Sequence, residues 1–341
     1  MTTIVKREDF CSIVNGKEVD LYTLTNEFLT INLTNYGCRL IDIITQGKNG
    51  PVNVLIGFRS LKGIMQCDNC MGAIIGRYAN KIYKGDLVID SHKYQLPINN
   101  GINCLHGGDG FDKKVFTVTK ITKTEVVLEL DDKDGSNNFP GNVHVVITYK
   151  LHENNLVMTF EATTDQTTIV NITNHSYLNL NGEGSIVHHQ LQIYSDQFLP
   201  ITDEIVPTGE IRKVENTPFD FREFKEIGKE INNDYEQLKL GSGYDHSFII
   251  NENAPHCSWD KSIKQIANIK GDISEVQMSI YSSQPGVQFY TSNFMPEGFK
   301  TRSAFCLETQ HFPDSPHHPE FPSTYLKRGD VYHHVCVYQF Q

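Results

Sequence analysis

Four short segments of this 341-residue chain carry side chains able to move a proton or grip a hydroxyl, and they are scattered from the first third to the end. In Ser303-Ala-Phe-Cys-Leu-Glu-Thr-Gln310, strand alternation places Cys306, Glu308 and Gln310 on one face, opposite Phe305 and Leu307. A carboxylate in the centre of such a strand is unusual. The plain alternative is a charge on an exposed strand edge, which the flanking Phe, Cys and Leu disfavour. Residues 171–180, Asn-Ile-Thr-Asn-His-Ser-Tyr-Leu-Asn-Leu, read as a second strand with Asn171, Thr173, His175, Tyr177 and Asn179 on one face. That uncharged row of donors and acceptors suits a polyol, although a structural hydrogen-bonding ladder would use the same residues. His106 precedes two glycines in Asn103-Cys-Leu-His-Gly-Gly108, which let the backbone turn and bring a ligand close. A loop histidine bonded to its own turn has the same local sequence. Asp245, in Gly243-Tyr-Asp-His-Ser-Phe248, stands at the mouth of a strand, where a carboxylate can accept two hydroxyl protons. Asp also occurs in turns for local backbone reasons. Gly76-Arg-Tyr-Ala-Asn80 contributes a guanidinium and an amide.

A site assembled from such distant pieces needs a sheet to gather them. Period-two alternation recurs, as at Leu29, Ile31 and Leu33 and from Val143 to Leu151, which predicts half-buried strands. Clusters such as Gly47-Lys-Asn-Gly-Pro51, Asp131-Asp-Lys-Asp-Gly135 and Asn181-Gly-Glu-Gly184 break the strands apart, and no long segment sustains a 3.6-residue period. The chain is predominantly β, with residues 225–240 the expected helical or irregular insertion. Neither a repeat nor a compositional linker divides it, so residues 1–341 are expected to form one domain. A net charge of −11 opposes phosphate backbones and anionic lipid, which excludes nucleic-acid and membrane partners as expectations. The N-terminus lacks a signal-peptide pattern, and the eight cysteines are scattered through a long chain. The expectation is therefore a cytoplasmic protein with reduced thiols. Cys67 and Cys70 form a CxxC pair with no second pair to complete a zinc site. The pairs His188-His189, His317-His318 and His333-His334 would point to opposite faces of a strand, which argues against chelation.

Taken together, these segments resemble the aldose 1-epimerase family from about Asn35-Tyr-Gly-Cys38 to Val337-Tyr-Gln-Phe340. The most specific pieces are Gly76-Arg-Tyr-Ala-Asn80, Leu105-His-Gly-Gly108 with Gly110-Phe-Asp112, and Asn174-His-Ser-Tyr177 with Leu180. Gly286-Val-Gln288 with Tyr290-Thr291 and Asn293-Phe294 follows, then Leu307-Glu308 with Gln310 and Pro313-Asp314. The resemblance implies an all-β fold, a large antiparallel β-sandwich of the supersandwich, galactose mutarotase-like kind, with an open cleft for one hexose. It implies Glu308 as general base and His175 as general acid. Arg77, Asn80, His106, Asp245 and Gln288 fall at positions that hold or polarise the sugar, and Lys81 and Tyr177 join them as substrate-binding residues. Lys81 departs from the family pattern, where many members carry Arg, and so does the histidine-rich Pro316-His-His-Pro319. Losing a planar guanidinium fork changes how a hydroxyl is gripped.

The implied reaction exchanges the α and β anomers of a free aldohexose such as galactose or glucose. The C1 hydroxyl loses a proton, the ring oxygen gains one, and rotation about C1–C2 presents the other carbonyl face. Two proton-transfer groups suffice, so no cofactor and no metal is expected. Arg77 would support Glu308 or accept a sugar hydroxyl. The protein would work as a monomer or homodimer. Two rivals share the sugar chemistry: a glycoside hydrolase using Asp245 and Glu308, and a non-catalytic sugar-binding module on the same fold.

Overall fold

The computed structural model describes residues 5–67 and 69–341. Among the described residues the principal elements are three antiparallel sheets of nine, five and four strands. The nine-stranded sheet runs from Thr117–Ile121 through Glu125–Asp132, Val143–His152 and Asn155–Thr164 to Tyr332–Phe340. It continues with Gln277–Ser282, Lys264–Lys270, Gln190–Ile193 and Lys225–Glu226. Val143–His152 alternates as its sequence predicts: Val143, Val145, Ile147, Tyr149 and Leu151 are buried while their neighbours face outward. The buried set meets Leu24, Ile31, Leu33 and Ile43 of the four-stranded sheet and Phe198, Phe248, Val287, Phe289 and Leu307 of the five-stranded sheet in one continuous core. The fold is thus an all-β antiparallel sandwich.

Several local expectations change in three dimensions. The Gly47-to-Pro51 turn does close a hairpin, with Gly47 opposite Gly50. Thr30–Thr34, in contrast, is buried on both faces from Ile31 to Thr34, because it is the inner strand between Leu21–Thr25 and Arg39–Gly47. Residues 225–240 are mostly turns, with a short strand at Lys225–Glu226 and one helical turn at Glu236–Leu240. A second short helix, Leu61–Gln66, was not anticipated; Ser60 caps it by accepting from the Gly63 N–H at 3.1 Å. His317 and His318 lie on a 3-10 turn and its end rather than a strand. Both therefore reach the same carboxylate, Asp314, at 2.6 and 3.6 Å.

The five-stranded sheet positions the site. Its order is Arg212–Lys213, Gln197–Phe198, Asp245–Ile249, Gly286–Tyr290 and Cys306–Gln310. The last two strands are buried on both faces. One face contributes to the core; the other holds the polar residues. Cys306–Gln310 ends the sheet, yet it is not an exposed edge, because residues 171–180 cross over it. That segment is not the strand the sequence suggested: only Thr173–Asn174 joins a ladder, with Ile74–Ile75. Asn171 donates to Ala79 O and His311 O, Thr173 to Thr309 O at 2.9 Å, and Asn179 to Ser303 O at 2.9 Å. The structural alternative therefore holds for these three side chains. They stitch the crossing segment down and cover the open strand edge.

Candidate active site

Register builds the site before any side-chain contact is considered. Ser247, Gln288 and Glu308 face one another across three adjacent strands, and Asp245, Tyr290 and Cys306 form the next row on the same face. A strand-centre Glu thus sits between a glutamine and the crossing segment that carries His175. Glu308 is 2% exposed and His175 6%. His175 Nε2 lies 3.7 Å from Glu308 Oε2, just beyond hydrogen-bond reach. Glu308 Oε2 and His175 Nδ1 are both buried without a hydrogen-bond partner among the described residues. Buried polar atoms are normally satisfied, so a pair left open marks a place where something else must bind.

Burial sets the electrostatics. It pushes the Glu308 carboxyl well above its ordinary range, and the nearby Asp245 charge pushes in the same direction. Burial also lowers His175 to about 4. Each group resists its charged form, so an ionised Glu308 is a strong base and a protonated His175 a strong acid. Tyr177 packs its ring on His175, 5.0 Å between centroids and 9° between planes, and meets Tyr290 edge-on at 6.3 Å. The ring therefore lies flat against the imidazole; the sequence suggested its hydroxyl as a contact for sugar. Met71, Tyr290, Ala304 and Cys306 complete that apolar wall.

His106 comes from a tight loop and packs edge-on to His175 at 5.3 Å. Gly107 follows at φ +76°, and a Cβ there would stand 2.9 Å from the Arg77 backbone nitrogen, so only glycine fits. The loop is clasped to Asn80 twice: His106 N–H donates to Asn80 O at 3.0 Å, and Asn80 N–H donates to His106 Nδ1 at 3.2 Å. With Nδ1 accepting, the ring proton sits on Nε2, leaving that edge as a donor. Burial holds the imidazole neutral, well below its usual value. Asn80 therefore acts largely through its backbone, and its side-chain oxygen accepts from the Lys81 N–H at 2.9 Å.

Asp245 accepts from Gln288 Nε2 at 2.7 Å, and burial raises it to about 6 despite that bond and the Lys81 charge. Lys81 donates to Glu204 O at 2.7 Å, and its ammonium is held below the ordinary lysine value by burial. Its charge acts on Asp245 of the polar face. Arg77 is 1% exposed, with Nε on Asp132 Oδ2 at 2.8 Å, Nη1 on Pro140 O and Gly141 O at 2.8 and 3.0 Å, and Nη2 on Asp132 O and Lys133 O at 3.3 Å. Its donors are spent on the 132–141 loop and on Thr168 Oγ1, 3.4 Å from Nη1. None of these bonds is to Glu308.

The structure thus gathers Glu308, His175, His106, Tyr177, Asp245, Gln288, Lys81 and the Asn80 backbone, and turns the Arg77 side chain into the 132–141 loop. Sequence reasoning passed over Ser247 and Tyr290. Period two on Asp245–Ile249 already places Ser247 beside Asp245 on one face, a signal that was present and unused. No group of three or more His, Cys, Asp or Glu among the described residues is placed to hold a metal ion.

The family model described as Aldose 1-epimerase matches residues 20–339. Galactose mutarotase of Rattus norvegicus is 36% identical over 337 residues, covering 95% of each chain. Aldose 1-epimerase of Escherichia coli is 33% identical over 340 residues, covering 96% of each. A crystal structure of an aldose epimerase homologue from C. elegans superposes with a TM-score of 0.87 at 28% identity, over 95% of this chain and 99% of that one. Galactose 1-epimerase from Lactobacillus acidophilus gives 0.86 at 27%, over 97% of each. On the strength of the profile match, the near-complete coverage and the shared sandwich, the chain belongs to the aldose 1-epimerase family.

Proposed function

We infer that the protein is an isomerase that interconverts the α and β anomers of a free aldohexose, galactose or glucose, by opening and reclosing the hemiacetal ring. The observation that carries this reading is the buried, partnerless pair Glu308 and His175, 3.7 Å apart, beside a row of hydroxyl-binding groups. Glu308 takes the C1 hydroxyl proton as His175 supplies one to the ring oxygen; on reclosure they exchange roles. Each such transfer contributes ~10²–10⁴-fold. The reaction is reversible, and both groups must serve in both protonation states. Their resistance to charge supports this: an ionised Glu308 takes up a proton readily, and a protonated His175 gives one up readily. His106 Nε2–H supports the ring-oxygen side, and Asp245, Gln288 and Lys81 bind the remaining hydroxyls. No step calls for a metal or a nucleotide.

Among the described residues no helix is long and apolar enough to cross a membrane. We place the enzyme in the cytoplasm, a reading supported by eight cysteines that form no disulfide, and take it to act as a monomer or homodimer. The test of function is polarimetry of freshly dissolved α-D-glucose and α-D-galactose. The protein should speed the drift to equilibrium rotation without changing its end point. An unaltered drift with both sugars would end the reading.

A further inference from the structure

We infer that Ser247 is a positioning residue for this site: its hydroxyl fixes the Gln288 amide so that an N–H, and not a carbonyl, faces Asp245. The inference deepens the anomer-exchange reading and depends on it for its kinetic arm alone. Ser247 Oγ donates to Gln288 Oε1 at 2.6 Å, and Gln288 Nε2 donates to Asp245 Oδ1 at 2.7 Å. All three residues sit on the polar face of two paired strands, with Ser247 directly opposite Gln288. Ser247 is 3% exposed and Gln288 4%, so neither can turn to water for a partner.

An amide has two faces that differ only in which atom leads, and its surroundings must choose between them. With the nitrogen toward Asp245, the Ser247 proton has the amide oxygen to bond. With the amide reversed, that buried proton loses its acceptor, and the carbonyl faces a carboxylate that can bond it only when protonated. Ser247 therefore favours the arrangement in which Asp245 is ionised. That charge bears on the reaction, because it is a cause of the raised proton affinity of Glu308. The other groups facing Asp245 are the Lys81 ammonium, the Tyr290 hydroxyl and the Cys306 thiol. Lys81 favours its ionised form, while Glu308 opposes it; His175 stands across from Glu308. None of these touches the Gln288 amide oxygen, so none replaces Ser247.

The experiment compares Ser247→Ala, Ser247→Cys and Ser247→Thr with the wild type in two readouts. In the first, carbon-13-labelled Asp carboxyls are titrated by NMR, with Asp245→Asn to assign the resonance. The Ala and Cys variants should raise the Asp245 midpoint by about 0.5–1 pH unit, and Thr, which keeps the hydroxyl, should leave it near wild type. In the second, the acid limb of kcat/KM in the polarimetric assay, which reports ionisation of the Glu308 base, should move downward in Ala and Cys, because a less ionised Asp245 raises Glu308 less, and be restored in Thr. An unchanged Asp245 midpoint in a folded Ala or Cys variant overturns the inference, as does a Thr variant that shifts as far as Ala. A wild type without anomerase activity whose Asp245 midpoint still moves in the Ala variant overturns the functional reading and leaves the positioning role standing.

Discussion

Glu308 and His175 are buried side by side, with Glu308 Oε2 and His175 Nδ1 lacking a hydrogen-bond partner among the described residues, and each is held away from its charged form by burial. Glu308→Gln preserves size and reach but removes basicity. It should lower turnover by about 10²-fold or more while sugar binding persists, and His175→Asn should do likewise. Retention of wild-type rates in either, read by polarimetry, would move the chemistry to other residues. Arg77 is the opposite case, a buried charge whose nitrogens are all bonded to protein. Arg77→Met leaves Asp132 buried with only Lys114 beside it, and should destabilise the fold by roughly 3–5 kcal/mol in urea denaturation. Any protein that remains folded should keep a normal KM, whereas a sharply raised KM in a fully stable variant would restore Arg77 to the sugar site. Glu308 and His175 stood out in sequence because a strand-centre Glu and a histidine in an uncharged row are chemically unusual. The buried bonds of Arg77 were not legible, because a short glycine-led turn does not reveal where its basic side chain points.

At the scale of elements, the polar face is made by registering strands that are far apart in the chain, and His106 is added by a loop whose backbone path only glycine permits. Gly107→Ala introduces a Cβ at φ +76° against the Arg77 nitrogen. The strain costs about 1–2 kcal/mol before any clash is relieved, and relief must displace either the 76–80 segment or His106. The expected result is a modest loss of thermal stability with a disproportionate fall in kcat/KM. Equal fractional losses in a Gly135→Ala control, which has open space for a Cβ, would remove the special role of this loop. Alternation predicted Val143–His152 and the shared face of Cys306, Glu308 and Gln310. It failed for residues 171–180, where Asn171, Thr173 and Asn179 bond carbonyls of other segments and hold an irregular path. Period two describes a side chain's direction only where the backbone is a strand.

The whole molecule carries an acid sensitivity that follows from its buried histidines. Burial lowers His175, His189 and His311 to about 4 and His246 and His334 to about 3, and depresses His106 as well. An unfolded imidazole takes its proton near 6.5. Between about pH 6.5 and 4 the unfolded chain therefore binds more protons, and stability rises with pH across that window. Asp245 and Glu308, raised in the folded state, oppose this. So do His317 and His318, raised by Asp314 but partly exposed, where solvent weakens the effect. The six depressed imidazoles outweigh them, and the urea midpoint should fall as pH drops from 7 to 5; a flat or rising midpoint would contradict the balance. We propose further that residues 1–341 form one domain, since a single hydrophobic cluster joins all three large sheets. That predicts coincident unfolding transitions by tryptophan fluorescence, with Trp259 as the sole probe, and by far-UV circular dichroism. Two separated transitions would divide the chain. Turnover should also survive dialysis against EDTA; loss that a divalent cation reverses would demand a metal.

Composition, alternation and turn chemistry were enough by themselves to establish a β-rich chain, and the uncommon residues Glu308, His175, His106 and Asp245 suggested a face that binds hydroxyls; the proton-transfer roles came from the resemblance to the aldose 1-epimerase family. These are local properties: a residue's type, its neighbours and the period of the run in which it lies. Which strands became neighbours, which edge was covered and which polar groups were left without partners depend on contacts between residues far apart in the chain. Ser247 opposite Gln288 and Arg77 turned into the 132–141 loop were therefore decided only by the tertiary structure. Burial is a property of the assembled core, and it is burial that brings His175 down and drives Glu308 up.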